Sequence, residues 1–197
     1  MIDKLIFRVY AQPLHRVVIL MACAVIVWAW AAAVLWSRKK QNLVRVSSLV
    51  LFLLFFAGIF YATMHRSPVD YAALVLRPFQ VWIDARIQPE LYRSMLMNVL
   101  LFFPFGLFLP FVVAEEKGFA GGPEGVSPRG RRNPVISALA LGILCSLIVE
   151  ALQYSFSLGR AETDDVIMNT IGTAAGCLSY VLARFLYERG WGGTAER

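Results

Sequence analysis

The sequence predicts an all-α integral membrane protein, a helical bundle of about five transmembrane helices. Hydrophobic residues make up 58% of the chain and charged residues 16%, and the charges fall between long uncharged runs. A run of roughly 18 apolar residues can cross a hydrocarbon core about 30 Å thick. Because only a helix satisfies its own backbone hydrogen bonds in lipid, each such run is expected to be helical.

Five runs meet this test, at residues 17–36, 46–64, 94–114, 134–154 and 166–183. The first follows Lys4, Arg8 and Arg16, as a cleaved signal peptide would, but its apolar stretch is too long for one. The second is bordered by Arg45 and Arg66 and is rich in Phe, so the alternative count is four spans, with this run shallow or tilted.

The spans divide the chain into residues 1–45 with the first span, a helical bundle over residues 46–186, and a short polar tail over residues 187–197. The segment 65–93 mixes apolar, aromatic and charged residues. We expect it to lie along the membrane interface, where Arg77, Arg86 and Arg93 can reach lipid phosphates. The alternative is an ordinary surface loop.

Polar side chains gather at the ends of the last three spans. Since consecutive spans alternate in direction, the start of the third, the end of the fourth and the start of the fifth share one membrane face. The predicted site therefore consists of Asn98, Glu150, Gln153, Arg160, Asp164, Asp165 and Asn169.

Glu150 is the most costly member of this set, because a carboxylate at the bilayer centre costs about 2.5–3.5 kcal/mol on insertion scales. It either pairs with Arg160 or acts on a ligand or proton, and both options stay open. Gln153 shares its helical face and is expected to bond a neighbouring helix. Thr163 or Asp164 can cap the last helix, whose positive dipole end favours anions.

Asp165 and Asn169 are four positions apart and share one face of the last helix. Gly172 and Gly176 continue that face as a Gly-x-x-x-Gly pattern, which permits close helix approach. We expect this face to meet the span that carries Glu150.

The net charge of +6 comes from nineteen basic residues, which are spread over loops, so no nucleic-acid partner is expected. Eleven of them lie in residues 37–45, 115–133 and 184–197, which places these segments in the cytoplasm and the polar cluster outside. Cys23, Cys145 and Cys177 lie in apolar spans, so they predict packing and no metal centre.

Three motifs in order carry a family resemblance. They run from Asn98 to Gly106 (NVLLFFPFG), through Glu150-Ala-Leu-Gln153, to Asp164-Asp165-Val-Ile-Met-Asn169-Thr-Ile-Gly172. With the upstream Arg77-Pro78-Phe79, this arrangement resembles the VanZ-like membrane proteins from about residue 60 to 186. The resemblance implies a multi-pass protein of the bacterial inner membrane and a link to reduced susceptibility to teicoplanin.

The expected function is binding rather than catalysis: the polar cluster would hold a lipid-linked envelope precursor, a lipid headgroup or an amphiphilic glycopeptide. One alternative is an intramembrane enzyme that uses Glu150 with Asp164 and Asp165, which could also bind a divalent cation. A second alternative is a transporter subunit or a protein that positions partners. No cofactor is expected, and the sequence leaves the oligomeric state open.

Overall fold

The computed structural model describes residues 41–64, 73–113 and 133–190, together with residues 27, 28, 31 and 32. The chain divides into two compact units, Met1–Lys40 and Gln41–Arg197. In the first unit the four described residues are helical, and the rest of the span predicted at residues 17–36 lies outside the described residues. The first span and the domain boundaries thus stay predictions.

The second unit is mainly helical. Its elements in chain order are α1 (Gln41–Met64), β1 (Ala73–Val75), α2 (Gln80–Asp84), α3 (Glu90–Val113), α4 (Pro134–Ser155), β2 (Arg160–Glu162) and α5 (Thr163–Gly190). Four stretches in the described part are long and apolar enough to cross a membrane: Asn42–Tyr61, Glu90–Val113, Pro134–Ser155 and Thr163–Phe185.

These four stretches confirm the predicted all-α membrane fold. Three of the helices begin a few residues earlier than predicted, because polar residues can form the first turn outside the apolar layer. The start of α4 agrees with prediction: Pro134 occupies the first turn, and the Asn133 side chain accepts a hydrogen bond from the Val135 N–H at 3.0 Å.

Two contacts fix the helix directions. Arg45, at the start of α1, donates from Nε to the carbonyl of Val112 at the end of α3 over 3.1 Å, so these helices are antiparallel. The bond satisfies one carbonyl that the last helical turn leaves open. Asn98 near the start of α3 bonds Asp165 near the start of α5, so α3 and α5 begin at the same end of the bundle.

The backbones of α3 and α5 approach each other closely at two glycines of α5. A Cβ atom on Gly172 would lie 2.2 Å from the Val99 carbonyl oxygen, and one on Gly176 would lie 2.1 Å from that of Phe103. Neither position has room for a methyl group. The expectation that this face of α5 meets the helix carrying Glu150 is wrong for the two glycines, which lie against α3. It is right for Asn169 of the same face, which bonds Ser146 of α4.

Thr173 shows which face of α5 meets α4. It is completely buried, and a Cβ on Gly142 of α4 would lie 2.7 Å from its side chain. From the other side, a Cβ on Gly106 of α3 would lie 1.8 Å from its carbonyl oxygen. The residues of α5 that approach α4 are therefore Asn169 and Thr173. They lie beside Gly172 and Gly176 on the helix surface.

Aromatic pairs join α1 to α3. The rings of Phe52 and Phe105 meet edge to face with centroids 4.8 Å apart, and those of Phe55 and Phe108 stack at 5.9 Å. The first pair belongs to an apolar core that also includes Ala138, Val149 and Cys177 from α4 and α5. The predicted second span is thus a long helix packed on the bundle by its Phe residues.

A two-stranded parallel sheet adds to the helical fold. Ala73 pairs with Arg160, and Val75 pairs with Glu162. Three residues per strand are too few to show an alternating pattern in the sequence, which explains why the sheet was not predicted. The pairing joins residues 73–75, before α3, to the α4–α5 connection. Whether the segment 65–93 lies along the membrane interface or is an ordinary surface loop stays a prediction.

Candidate functional site

Asp164 is buried. Its carboxylate bonds the short helix α2, whereas the sequence predicted a bond within the last helix. Its two carboxylate oxygens accept hydrogen bonds from the backbone N–H groups of Phe79, at 2.5 Å, and Val81, at 2.7 Å. The Thr163 hydroxyl donates to the Val75 carbonyl at 3.2 Å. The expectation that one of these side chains caps the last helix is wrong, since the Asp164 carboxylate caps the short helix α2 and the Thr163 hydroxyl bonds strand β1.

The backbone at Phe79 explains how one carboxylate reaches two N–H groups. Phe79 has φ 64° and ψ 13°, a left-handed conformation that is uncommon for a residue with a side chain. The conformation turns the chain sharply between Pro78 and α2, so the N–H groups on either side of Gln80 converge. Such strain persists only where surrounding contacts hold it, and Asp164 supplies two of them.

Asn98 and Asp165 connect α3 to α5. The Asn98 Nδ2 group donates to Asp165 Oδ1 over 2.6 Å. Asp165 lies in the first turn of α5 and Asn98 in the third turn of α3, and the two helices run in the same direction, as expected from the order of the spans. The structure therefore brings together two members of the predicted site that are 67 positions apart.

Asn169 connects α5 to α4. Its Nδ2 group donates to the Ser146 hydroxyl over 2.9 Å, and both side chains are buried. Its Oδ1 atom is also buried, and within the described part of the chain it has no hydrogen-bond partner. Ser146 was not predicted, although it lies four positions before Glu150 on the same helical face, which is the signal that could have found it.

Glu150 reaches the connection between α4 and α5. It is buried, and Oε2 accepts a hydrogen bond from the backbone N–H of Glu162 at 3.0 Å. Gln153, also buried, accepts the Leu158 N–H on its backbone carbonyl at 2.9 Å. These two residues of α4 therefore help to fold the connection back over the end of the bundle.

Arg160 lies at the exposed rim. Its Nε is 3.0 Å from a carboxylate oxygen of Glu162, and its side chain is 54% exposed while that of Glu162 is 15% exposed. Burial raises the pKa of Glu162 above its ordinary value; the Arg160 guanidinium opposes this, and the carboxylates of Asp164 and Asp84 add to it. Glu162 was missed by the sequence reasoning, because its burial comes from the sheet.

One alternative from the sequence is that Asp164 and Asp165 bind a divalent cation. Within the described ranges, no cluster of three or more His, Cys, Asp and Glu side chains is arranged to hold a metal ion. Cation binding stays a prediction, and both carboxylate oxygens of Asp164 already accept hydrogen bonds from Phe79 and Val81.

Together these contacts define the polar seam, by which we mean Asn98, Ser146, Glu150, Asp165 and Asn169. The seam runs inward from the end of the bundle, since Asn169 lies six residues into α5, about 9 Å along its axis. Two of its five side chains are carboxylates, so it is suited to accept hydrogen bonds or to hold a cationic group.

The fold and this polar end define a class: a helical-bundle integral membrane protein with buried polar groups at one end of its spans. The family model of VanZ/LLP1 matches residues 17–184. The chain belongs to the VanZ/LLP1 family.

A curated relative is similar over part of the chain. Protein VanZ of Enterococcus faecium is 33% identical over 92 residues, which is 47% of this chain and 47% of that protein. The chain thus spans about half the length of the curated relative that it matches. No solved structure matches the chain.

Proposed function

We propose that this protein binds the polar head of a lipid-like molecule at the polar seam, within the inner membrane of a bacterium. The ligand class comprises a lipid-linked envelope precursor, a lipid headgroup and an amphiphilic glycopeptide. A lipid-linked precursor, a whole lipid with its headgroup and an amphiphilic glycopeptide each combine an apolar tail, which fits the lipid-facing surface of the helices, with a polar head that fits the seam. Family membership supports the membrane setting.

The burial of the seam carries the proposal. Glu150 and Asn169 are 7% and 4% exposed, in a bundle whose other buried residues are mostly apolar. Ionised carboxylates in membrane spans cost several kcal/mol and usually mark functional sites. Helix packing alone would be served more cheaply by apolar residues.

The unpartnered oxygen of Asn169 supports the same proposal. A buried polar atom without a hydrogen-bond partner costs about 1–3 kcal/mol. A ligand that donates a hydrogen bond to Oδ1 would remove this cost, whereas the Nδ2 group is already bonded to Ser146. We therefore expect the bound head to present a hydroxyl, amide or ammonium donor.

Binding is better supported than catalysis by the state of Asp164. Both of its oxygens bond backbone N–H groups of α2, so it is held as a structural anchor. An enzyme that used Glu150, Asp164 and Asp165 would need the Asp164 carboxylate to act on a substrate, whereas here it bonds α2.

The experiment is native mass spectrometry of the protein extracted gently from its membrane. Wild type is compared with Glu150→Gln and Asp165→Asn, which preserve shape while removing charge. Asp84→Asn is the matched control, because Asp84 is an acidic residue at the same end that bonds Gln80 outside the seam. We expect a specific copurified lipid with wild type and the control, reduced at least about tenfold in the two seam variants, which corresponds to roughly 1.4 kcal/mol.

Equal lipid patterns in all four proteins, at equal expression and melting temperature, would overturn the binding proposal.

We further propose that the protein lowers susceptibility to teicoplanin. Its test is the minimal inhibitory concentration of a susceptible strain that expresses wild type or Glu150→Gln. An inhibitory concentration that rises with wild type alone supports the proposal, and no change with either protein contradicts it.

A further inference from the structure

We propose that the outer surface of residues 73–89, here called the interfacial segment, is embedded at the boundary between headgroups and acyl chains of one leaflet. Its occupant is the phospholipid of the surrounding membrane. This surface is separate from the polar seam, so the inference goes beyond the proposed function.

The first observation is the exposure of large apolar side chains outside the membrane-crossing helices. The interfacial segment precedes the stretch Glu90–Val113, yet it exposes Leu74, Leu76, Phe79, Trp82, Ile83 and Ile87. The most exposed is Ile87, at 83%. Soluble surfaces seldom carry so many exposed apolar groups in one short segment unless the surface is an interaction site.

The second observation is depth. Val81 of α2 packs with Met95 of α3 and Met168 of α5 in one buried cluster. Each methionine lies five residues into its helix, about 7.5 Å from the helix start at 1.5 Å per residue. Helix α3, with 24 residues, is about 36 Å long, and a hydrocarbon core is about 30 Å thick. Helix α2 therefore lies beside the ends of the spans, at the level of the membrane boundary.

The third observation is that the segment has an inner and an outer side. Val81 and Ala85 point into the bundle and are buried, while Trp82 and Ile83 are exposed. The inner side is held by the Asp164 carboxylate and by the pairing of β1 with β2. The apolar outer side is consequently fixed in place and cannot fold inward.

The charges and aromatic rings match a lipid headgroup region. Arg77 and Arg86 are exposed on this segment, where their guanidinium groups can bond lipid phosphates. Trp82 is of the residue type enriched at the membrane–water boundary. The exposed surface continues into the first turns of α3 at Tyr92 and Leu96, so the segment extends the lipid-facing side of a span.

The experiment measures the depth of spin labels in phospholipid vesicles that contain phosphatidylglycerol. The native cysteines are replaced by alanine, and single cysteines are introduced as Ile83→Cys and Ile87→Cys. Leu178→Cys is the lipid control, because Leu178 is 69% exposed within the span of α5. Ser127→Cys is the water control, because the charged, Gly- and Pro-rich sequence around it is expected to lie in water.

We expect both interfacial labels to collide with oxygen more, and with a water-soluble nickel complex less, than the label at residue 127. Collision with the nickel complex equal to that of residue 127 would overturn the proposal. Protection from both reagents would also overturn it, because the occupant would then be protein.

A second measurement avoids the cysteine-free background. Brominated phospholipids quench tryptophan fluorescence at the depth of the bromine atoms, and the difference between wild type and Trp82→Phe isolates Trp82. Strongest quenching by lipids brominated near the headgroup supports the proposal. Absence of a difference with every brominated lipid contradicts it.

Discussion

The backbone N–H of Phe79 donates a hydrogen bond to the carboxylate of Asp164, 85 positions later in the chain, over 2.5 Å. This bond joins the segment before α3 to the first turn of α5. It also explains why an acidic residue beside Asp165 is buried at this end of the bundle. Asp164 fixes the segment before α3 against α5, and Asp165 belongs to the polar seam.

Replacement of Asp164 by Asn should loosen α2. The amide keeps one acceptor oxygen but presents an NH2 group to the other backbone N–H, so one charge-assisted bond is lost. We expect a loss of about 2–3 kcal/mol of stability, measured by thermal unfolding in detergent, with faster hydrogen exchange at residues 79–85. Asp84→Asn is the control, and an equal loss in both variants would contradict the capping role of Asp164.

Replacement of Gly172 or Gly176 by Ala should disrupt the contact between α3 and α5. The new methyl group would overlap the carbonyl oxygen of Val99 or Phe103. We expect each variant to lose at least about 2 kcal/mol, because a backbone cannot move aside as a side chain can.

Gly58 in α1 provides the matched control for these variants. A Cβ there meets nothing within 4 Å. Gly58→Ala should therefore be neutral or stabilise the protein by up to about 1 kcal/mol through helix propensity. Equal unfolding temperatures for the variants at residues 58, 172 and 176 would be inconsistent with the close packing of α3 and α5.

Replacement of Asn98 by Leu should weaken the join between α3 and α5 by about 1–2 kcal/mol, the range for hydrogen bonds between membrane helices. Asp165→Asn should cost less, since the amide oxygen can still accept the bond from Asn98. Chemical unfolding in mixed micelles measures both. A larger loss for Asp165→Asn than for Asn98→Leu would show that the bond to Asn98 is the smaller part of the role of Asp165.

The raised pKa of Glu162 predicts that the stability of the folded protein depends on pH. Its pKa is raised above the ordinary value of 4.5, so the folded state keeps the proton at a pH where the unfolded state has lost it. The stability contributed by this group is therefore complete below 4.5 and is lost as the pH rises through the higher, folded-state pKa. Compared with Glu162→Gln, wild type should become relatively less stable as the pH increases from 4.5 toward neutrality.

Arg160→Gln tests the cause of this shift. The Arg160 guanidinium lowers the pKa of Glu162, so its removal should raise that pKa further and move the loss of stability to higher pH. Melting temperatures recorded across the pH range compare the three proteins. Parallel profiles for wild type and Glu162→Gln would contradict a raised pKa.

Some of the site followed from the sequence because it depends on span direction alone. Asn98 and Asp165 had to meet at one end once both were placed at the starts of spans that run the same way. The partner of Glu150 did not follow, since the Glu162 N–H reaches it only through the fold of the connection. The predicted contact between one face of α5 and α4 is found at Asn169, whereas Gly172 and Gly176 of that face lie against α3, because one helical face borders two neighbours.

The sequence by itself determined the membrane fold class, the four described spans and the end of the bundle where polar groups gather, because the length and hydrophobicity of a run decide whether it crosses lipid. Only the tertiary structure decided that Asp164 caps α2, that Ser146 joins the seam and that a small sheet closes the end. These contacts depend on helix rotation and on hydrogen bonds between distant segments, and neither leaves a periodic pattern in the chain.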